Sequence, residues 1–182
     1  IVREALKVAN AGEKEPAPRR IAKGKPPEQG VDGKLLLLAK AVTEKQDQEH
    51  DEKKGMYELH LFDNIEPDRI VGRIYPPKPG VDGINVFGKK LPSSQGKPVQ
   101  VTIDDTIKKE AGESYEILKA KIPGYLEKKG NNLSVKEEFV VRGDIDFHTG
   151  NIDFINKVHV QGNVGSGFRV RGKQGIRVNG SV

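Results

Sequence analysis

A five-residue pattern, Val-x-Gly-x-Ile/Val, occurs three times in the last quarter of the sequence: Val141-Arg142-Gly143-Asp144-Ile145, Val160-Gln161-Gly162-Asn163-Val164 and Val178-Asn179-Gly180-Ser181-Val182. The copies are spaced by 19 and 18 residues. Short segments of period two, repeated at a fixed coil length, are typical of a β-solenoid whose alternate apolar residues point inward. Because the unit has 18–19 residues and no strict six-residue register, it favours a right-handed parallel β-helix over a left-handed hexapeptide helix. We therefore expect a parallel β-helix over residues 139–182.

The same pattern leads to expectations about corners and ends. Glycine permits a tight corner or a close backbone approach, which is the structural role we predict for Gly143, Gly150, Gly162 and Gly180. The third copy stops within a strand at Val182, and an unpaired strand edge can add strands from another chain. We expect possible self-association through this edge. Because the sequence starts at Ile1 and its only methionine is Met56, we interpret the chain as a fragment of a longer protein.

A second repeat lies upstream of the solenoid. The segment Pro26-Pro27-Glu28-Gln29-Gly30-Val31-Asp32-Gly33 returns as Pro76-Pro77-Lys78-Pro79-Gly80-Val81-Asp82-Gly83. The proline pair favours an extended approach, and Asp-Gly predicts a tight turn with positive φ at the glycine. Asp32 and Asp82 are then expected to bond their own backbone two residues on, as in Asx turns. We favour one structural turn used twice over two copies of a ligand-binding loop, with turn positions Gly30, Asp32, Gly33, Gly80, Asp82 and Gly83.

The rest of the chain divides by pattern into two further regions. Residues 1–20 are predicted to form a short helix, over 1–9, followed by a proline-rich linker. Residues 21–138 are predicted to form a β-rich domain with long turns. We predict strands at Met56–Phe62 and Val99–Ile103 and a turn of helix at Asp104–Glu110. Tyr115–Ile122 and Tyr125–Val135 are predicted to be two strands or the two arms of a hairpin, the second broken at Gly130-Asn131-Asn132.

Composition excludes several classes of function. The 182 residues contain no cysteine, which removes disulfides, thiolate metal sites and cysteine nucleophiles. The longest apolar run, Leu35–Ala39, is far shorter than the roughly 20 residues of a membrane helix, and no signal peptide is visible, so we expect no membrane span and a cytoplasmic location. The net charge is +5, but aromatic residues make up only 5% and none interleaves with a Lys/Arg cluster. Nucleic acid is therefore an unlikely partner.

One group of polar residues could carry chemistry. Asp144, Asp146 and His148 occupy alternate positions of a predicted strand, so they would face outward together if Ile145 and Phe147 face the core. Carboxylates and an imidazole on one face are candidate ligands for a divalent cation. A metal site needs more converging ligands than one flat face offers, and an exposed row of polar residues is the simpler interpretation. No catalytic residue and no cofactor is expected.

Three segments, in family order, resemble the bacterial flagellar assembly protein A family. They are Ile21–Gly33, Gly80–Pro92 (GVDGINVFGKKLP), and Gly143–Phe154 with the following Val158-x-Val160-x-Gly162-x-Val164. The resemblance covers roughly residues 20–182. It implies a β-rich N-terminal region that leads into a right-handed β-helix, and a part in assembling or placing flagella. It carries over no catalytic residue.

These observations lead to three functional hypotheses. The first is a non-enzymatic scaffold whose rigid β-helix surface binds protein partners in bacterial flagellar or cell-envelope assembly, as the extended faces of solenoids commonly do. The second is a module that binds polysaccharide or nucleic acid in a basic groove. The third is a glycan-processing enzyme that uses Asp144 and Asp146, although residues two apart on one strand face show no visible cleft. We favour the scaffold.

Overall fold

The computed structural model of the chain describes residues 22–43 and 62–182. Within these ranges the secondary structure consists of strands, turns and irregular segments, with no helix. The strands are β1 (Lys34–Leu37), β2 (Ala41–Thr43), β3 (Ile70–Tyr75), β4 (Gly83–Ile84), β5 (Lys90–Leu91), β6 (Thr102–Ile103), β7 (Ile107–Ala111), β8 (Glu116–Ala120), β9 (Tyr125–Lys129), β10 (Asn132–Lys136), β11 (Glu138–Val141), β12 (Ile152–Phe154), β13 (Lys157–Val160), β14 (Val170–Gly172) and β15 (Gly175–Val178). The helix predicted at 1–9, its linker and the strand predicted at Met56–Phe62, apart from Phe62 itself, lie outside the described residues.

The described residues belong to two compact units. One contains residues 22–32 and 77–97, and the other contains residues 33–43, 62–76 and 98–182. The second unit has two hydrophobic cores, one formed by residues between Ala39 and Val135 and the other by Tyr125 with residues from Phe139 onward. The domain boundary predicted at residues 138/139 stays a prediction.

In the first unit, the two copies of the proline-rich module pair with each other. Residues 25, 28 and 31 pair antiparallel with residues 84, 81 and 78. Each pair exchanges two backbone hydrogen bonds of 2.7 to 3.1 Å. Bonds at every third residue match the three-residue turn of polyproline II rather than the two-residue period of a β-strand. The repeat therefore builds two facing extended segments.

A third segment, residues 93–97, closes this unit and corrects the predicted turn. Asp82 Oδ1 accepts a hydrogen bond from Ser93 N (2.9 Å), and Asp32 Oδ1 accepts one from Lys97 N (2.7 Å). The predicted Asx turns are therefore wrong, and so is the predicted positive φ at Gly33 and Gly83. A Cβ at Gly30 would overlap the backbone of Gly96. Glycine is needed here because backbones approach closely, as at the axis of collagen.

In the second unit, two sheets enclose the first hydrophobic core. One sheet has the order β1-β3-β8-β7 and is antiparallel, and the other has the order β2-β9-β10-β6. The segments 115–122 and 125–135 are not the two arms of one hairpin, because β8 pairs with β3 and β7. The break predicted at Gly130 is the turn that joins β9 to β10, with φ +56°. The helical turn predicted at Asp104–Glu110 is wrong, because Ile107 is buried and β7 pairs with β8. Of Val99–Ile103, only the last two residues form a strand.

The solenoid follows the predicted repeat. Strands β11, β13 and β15 form a parallel sheet in which Val141, Val160 and Val178 stand in register. Strands β12 and β14 form a second parallel pair, and Ile145 bridges Val164 on a third side. The inward residues of the first coil are buried, as are Val158 and Val160 of the second, whereas Val164 and Val170 are partly buried. The coil length of 18–19 residues is confirmed by this register, and the right-handed sense stays a prediction.

The glycines of the second and third motifs each face a side-chain oxygen of the preceding coil. Asp144 Oδ1 accepts a hydrogen bond from Asn163 N (2.6 Å), and Asn163 Oδ1 accepts one from Ser181 N (2.8 Å). A Cβ at Gly162 would overlap Asp144 Oδ1, and one at Gly180 would overlap Asn163 Oδ1. These glycines therefore permit coil contact. Of the predicted corner glycines, Gly150 alone has positive φ (+68°).

Gly143 lies in the first coil and has no atom within 4 Å of an added Cβ, which makes it a matched control. We expect Gly162→Ala to lower the free energy of unfolding by about 1–3 kcal/mol, because the methyl group must displace Asp144 or the coil backbone. Gly143→Ala is expected to change it by less than about 0.5 kcal/mol. Urea unfolding of the two variants tests this, and equal destabilisation would contradict the coil-contact role.

Candidate functional site

The three polar residues singled out in the sequence do not share a strand face. Strand β11 ends at Val141, and residues 146–149 form a turn. Phe147, expected to point inward, is 55% exposed. The strand placement of Asp144, Asp146 and His148 is therefore wrong, because a turn interrupts the period-two alternation on which it rested.

Both carboxylates are engaged in structural hydrogen bonds. Asp146 Oδ1 accepts from His148 N (2.8 Å) and Thr149 N (3.2 Å), which holds the turn closed. Asp144 Oδ1 accepts from the backbone and side-chain nitrogens of Asn163, at 2.6 and 3.2 Å. Among residues 22–43 and 62–182, no group of three His, Cys, Asp or Glu side chains is placed to hold a metal ion. The geometry of these two residues fits coil stacking.

The outer wall of the solenoid carries side chains in rows. On the β11-β13-β15 sheet, Val140, His159 and Arg177 stand in register and point away from the core. On the β12-β14 pair, Asp153 and Arg171 form an exposed ion pair of 3.8 Å. Neighbouring strands of a sheet are about 4.8 Å apart, so each row presents its side chains at a fixed spacing.

The start of the solenoid is covered by an aromatic cluster, which the sequence analysis missed. Phe62, Tyr125, Phe139 and Phe154 pack with ring centroids between 4.5 and 6.1 Å apart. Strand β9 supplies the link, because Tyr125 lies in the solenoid core and Leu126 lies in the core between the two sheets. Side chains of successive strand residues point to opposite faces, so one strand serves both cores.

Two asparagines fasten this covered end. Asn64 Nδ2 donates to Asp153 O (3.0 Å), and Ile155 N donates to Asn64 Oδ1 (2.9 Å). Asn156, only 1% exposed, donates to Pro123 O (2.8 Å) and accepts from Gln174 Nε2 (2.9 Å) in the next coil. The sheets of the second unit thus act as the cap that the first coil requires.

Burial in the aromatic cluster also changes the pKa of the Tyr125 phenol. Burial, with a smaller contribution from the Glu127 carboxylate, raises the pKa of Tyr125 to about 12. The phenol therefore stays neutral across the physiological range, and the cluster carries no charge from it.

A second group missed by the sequence analysis lies on the outer face of the β1-β3-β8-β7 sheet. The Arg73 guanidinium lies 4.9 Å from the Tyr115 ring centroid, and Lys34 Nζ lies 5.3 Å from that of Tyr75. The two tyrosine rings are 5.3 Å apart. The alternation of Arg73 and Tyr75 on β3 was a local signal for this group, but Tyr115 joins it only through sheet pairing.

Comparison with family models gives two matches. The Flagellar Assembly Protein A N-terminal region matches residues 1–131, and the Flagellar Assembly Protein A beta solenoid domain matches residues 137–182. No curated protein and no solved structure matches the chain. Among the described residues, no helix is long and apolar enough to cross a membrane.

The role of Asp144 is testable by two substitutions. Asp144→Asn keeps an oxygen that can accept from Asn163 N, as Asn163 itself does for Ser181, so we expect less than about 0.5 kcal/mol of destabilisation. Asp144→Ala leaves that amide without its acceptor and is expected to cost about 1–2 kcal/mol in urea unfolding. Equal loss in both variants would show that the negative charge, and not the oxygen, is what the site requires.

The pH dependence of stability tests the aromatic cluster. Folding raises the pKa of Tyr125 from 10.0 to about 12, so its contribution is intact below pH 10 and is lost as pH rises through that window. Tyr125→Phe removes this loss, so the variant should keep more of its neutral-pH stability than the wild type between about pH 10 and 12. Urea unfolding across this range, with Tyr115→Phe as the control, measures the difference. Parallel curves for all three proteins would contradict burial of the phenol.

Proposed function

Since this chain belongs to the flagellar assembly protein A family, we propose that it acts as a non-enzymatic scaffold in bacterial flagellar or cell-envelope assembly. In this proposal the protein works in the bacterial cytoplasm and presents the outer wall of its β-solenoid to protein partners. The observation that carries the proposal is that different solenoid residues hold the fold and face the solvent. Asp144 and Asp146, the best candidates for chemistry, hold coils and turns, whereas the rows on the wall have no part in the core.

The wall suits recognition of a protein because its contact points are fixed. Side-chain to backbone bonds tie each coil to the next, and parallel pairing sets the register of Val140, His159 and Arg177. A partner that binds such a surface loses little free energy in ordering it. The row combines an apolar side chain, an imidazole and an arginine, and arginine is among the residues enriched in protein interfaces.

A polysaccharide or nucleic-acid partner is the second candidate, favoured by the charge of the solenoid. Residues 139–182 carry six Lys or Arg and three Asp or Glu, a net charge of +3. Binding to a polyanion through such a surface releases counterions and weakens steeply with salt.

The test is affinity capture from a bacterial lysate with the chain as bait, in the presence and absence of nuclease and at rising salt. We compare the wall variant Val140→Ser/Arg177→Glu with the control Leu36→Ser/Lys121→Glu, which removes an equally exposed apolar side chain and cation elsewhere. The expected result is a discrete protein that survives nuclease and is recovered at least about tenfold less with the wall variant alone.

Two outcomes would contradict the scaffold proposal. Equal recovery with both variants would show that the wall is not the binding surface. Loss of all captured material to nuclease or moderate salt would favour the polyanion candidate.

A further inference from the structure

The loop between β4 and β5 is a tight structure closed by hydrogen bonds. Asn85 Oδ1 accepts from Phe87 N and from Lys89 N, both at 2.9 Å. The backbone adds Asn85 N to Lys89 O (2.9 Å) and Gly88 N to Asn85 O (3.0 Å). Gly88 has a φ of +82°, a conformation that favours glycine. These bonds fix the backbone of residues 85–89.

This fixed loop presents apolar side chains to solvent. Phe87 is 91% exposed, Val86 is 53% exposed and the neighbouring Ile84 is 49% exposed. A single apolar side chain on a surface needs no explanation, but three within four residues form a patch. Four hydrogen bonds keep the ring of Phe87 at the tip of a hairpin instead of letting the loop fold back over it.

The charges that follow this patch along the chain have one sign. Lys89 and Lys90 follow directly and are exposed. Residues 83–97 contain three lysines and no acidic residue. The nearest carboxylate along the chain, Asp82, accepts hydrogen bonds from Ser93 N (2.9 Å) and Ser93 Oγ (3.1 Å), which tie it to the third segment of the unit. These bonds, with a smaller contribution from the charge of Lys90, lower the pKa of Asp82.

An apolar tip with adjacent lysines matches the chemistry of an anionic lipid surface. Aromatic rings are stable at the boundary between headgroups and acyl chains. Lysines beside the ring reach the phosphates, while their methylene stems remain in contact with apolar material. An apolar protein cleft would accept the ring equally well but would not require the neighbouring cations.

We propose that the loop Asn85–Lys89 inserts Val86 and Phe87 into the surface of an anionic lipid bilayer, with Lys89 and Lys90 on the headgroups. This contact goes beyond the scaffold role and uses none of the residues of the solenoid wall. One small apolar tip gives a reversible attachment, so binding is weak for a single chain and sensitive to salt.

The chain contains no tryptophan, so Phe87→Trp provides a single fluorescent probe at the tip. Vesicles of phosphatidylcholine alone are compared with vesicles that also contain phosphatidylglycerol. We expect the emission of Phe87→Trp to shift to the blue in the presence of the anionic vesicles but not of the phosphatidylcholine vesicles. Brominated acyl chains should quench this emission in the anionic vesicles only. Phe147→Trp, at an exposed phenylalanine of the solenoid, is the matched control and should not respond.

Vesicle flotation of the wild type, Phe87→Ala and Lys89→Gln/Lys90→Gln supplies the second measurement. Each variant should bind the anionic vesicles about tenfold more weakly than the wild type, with unchanged urea unfolding because these side chains are exposed. Absence of a shift in Phe87→Trp, or equal flotation of the wild type and Phe87→Ala, would overturn the proposal. It would also be overturned if Phe87→Ala lost a captured protein without lipid while vesicles gave no response. Failure of the solenoid wall test leaves this result unaffected, because the two variant sets do not overlap.

Discussion

The solenoid depends on one contact that passes from coil to coil. A side-chain oxygen at the position after the motif glycine accepts a hydrogen bond from the backbone N–H of the equivalent residue one coil later. Asp144 accepts from Asn163 N, and Asn163 accepts from Ser181 N. The accepting oxygen occupies the place where the next glycine would carry a Cβ. Each contact therefore needs both a side-chain oxygen in one coil and a glycine in the next. The contact sets the register of the coils, and the apolar residues inside them stack in that register.

A stack of this kind needs a partner for its first coil, and the chain provides one from the preceding sheets. Strand β9 places Tyr125 against the solenoid core and Leu126 in the other core, and Asn64 bonds the backbone on both sides of Phe154. Formation of the two sheets therefore positions the surface on which the first coil packs. The uncharged state of Tyr125 matters for the same reason, because an ionised phenol in this cluster would be desolvated without a partner.

The sequence predicted those parts of the structure whose signal is local and periodic. The coil length, the register of Val141, Val160 and Val178, and the break at Gly130 belong to this class. The partners of Asp32, Asp82 and Asp144 could not be read, because each accepts from a residue 11 to 65 positions away that no local pattern identifies. The proposed strand face of Asp144, Asp146 and His148 failed for a related reason, since a five-residue motif does not reveal where its strand stops. The aromatic cluster likewise depends on long-range sheet pairing.

Both repeats of this chain are held together by hydrogen bonds between repeated segments, in a sequence with few apolar residues. With 35% hydrophobic residues and 21 glycines, the chain gains much of its order from backbone contacts between repeated segments. In the proline-rich unit, reciprocal bonds at every third residue join two copies of one module, and glycine lets a third segment approach. In the solenoid, asparagine and aspartate oxygens do the equivalent work between coils. In such an architecture many polar groups hold the backbone itself, whereas the rows of the solenoid wall, the tip at Phe87 and the Arg73–Tyr115 group lie outside the cores. Both contacts proposed above, on the solenoid wall and at Phe87, use side chains that these backbone contacts leave exposed.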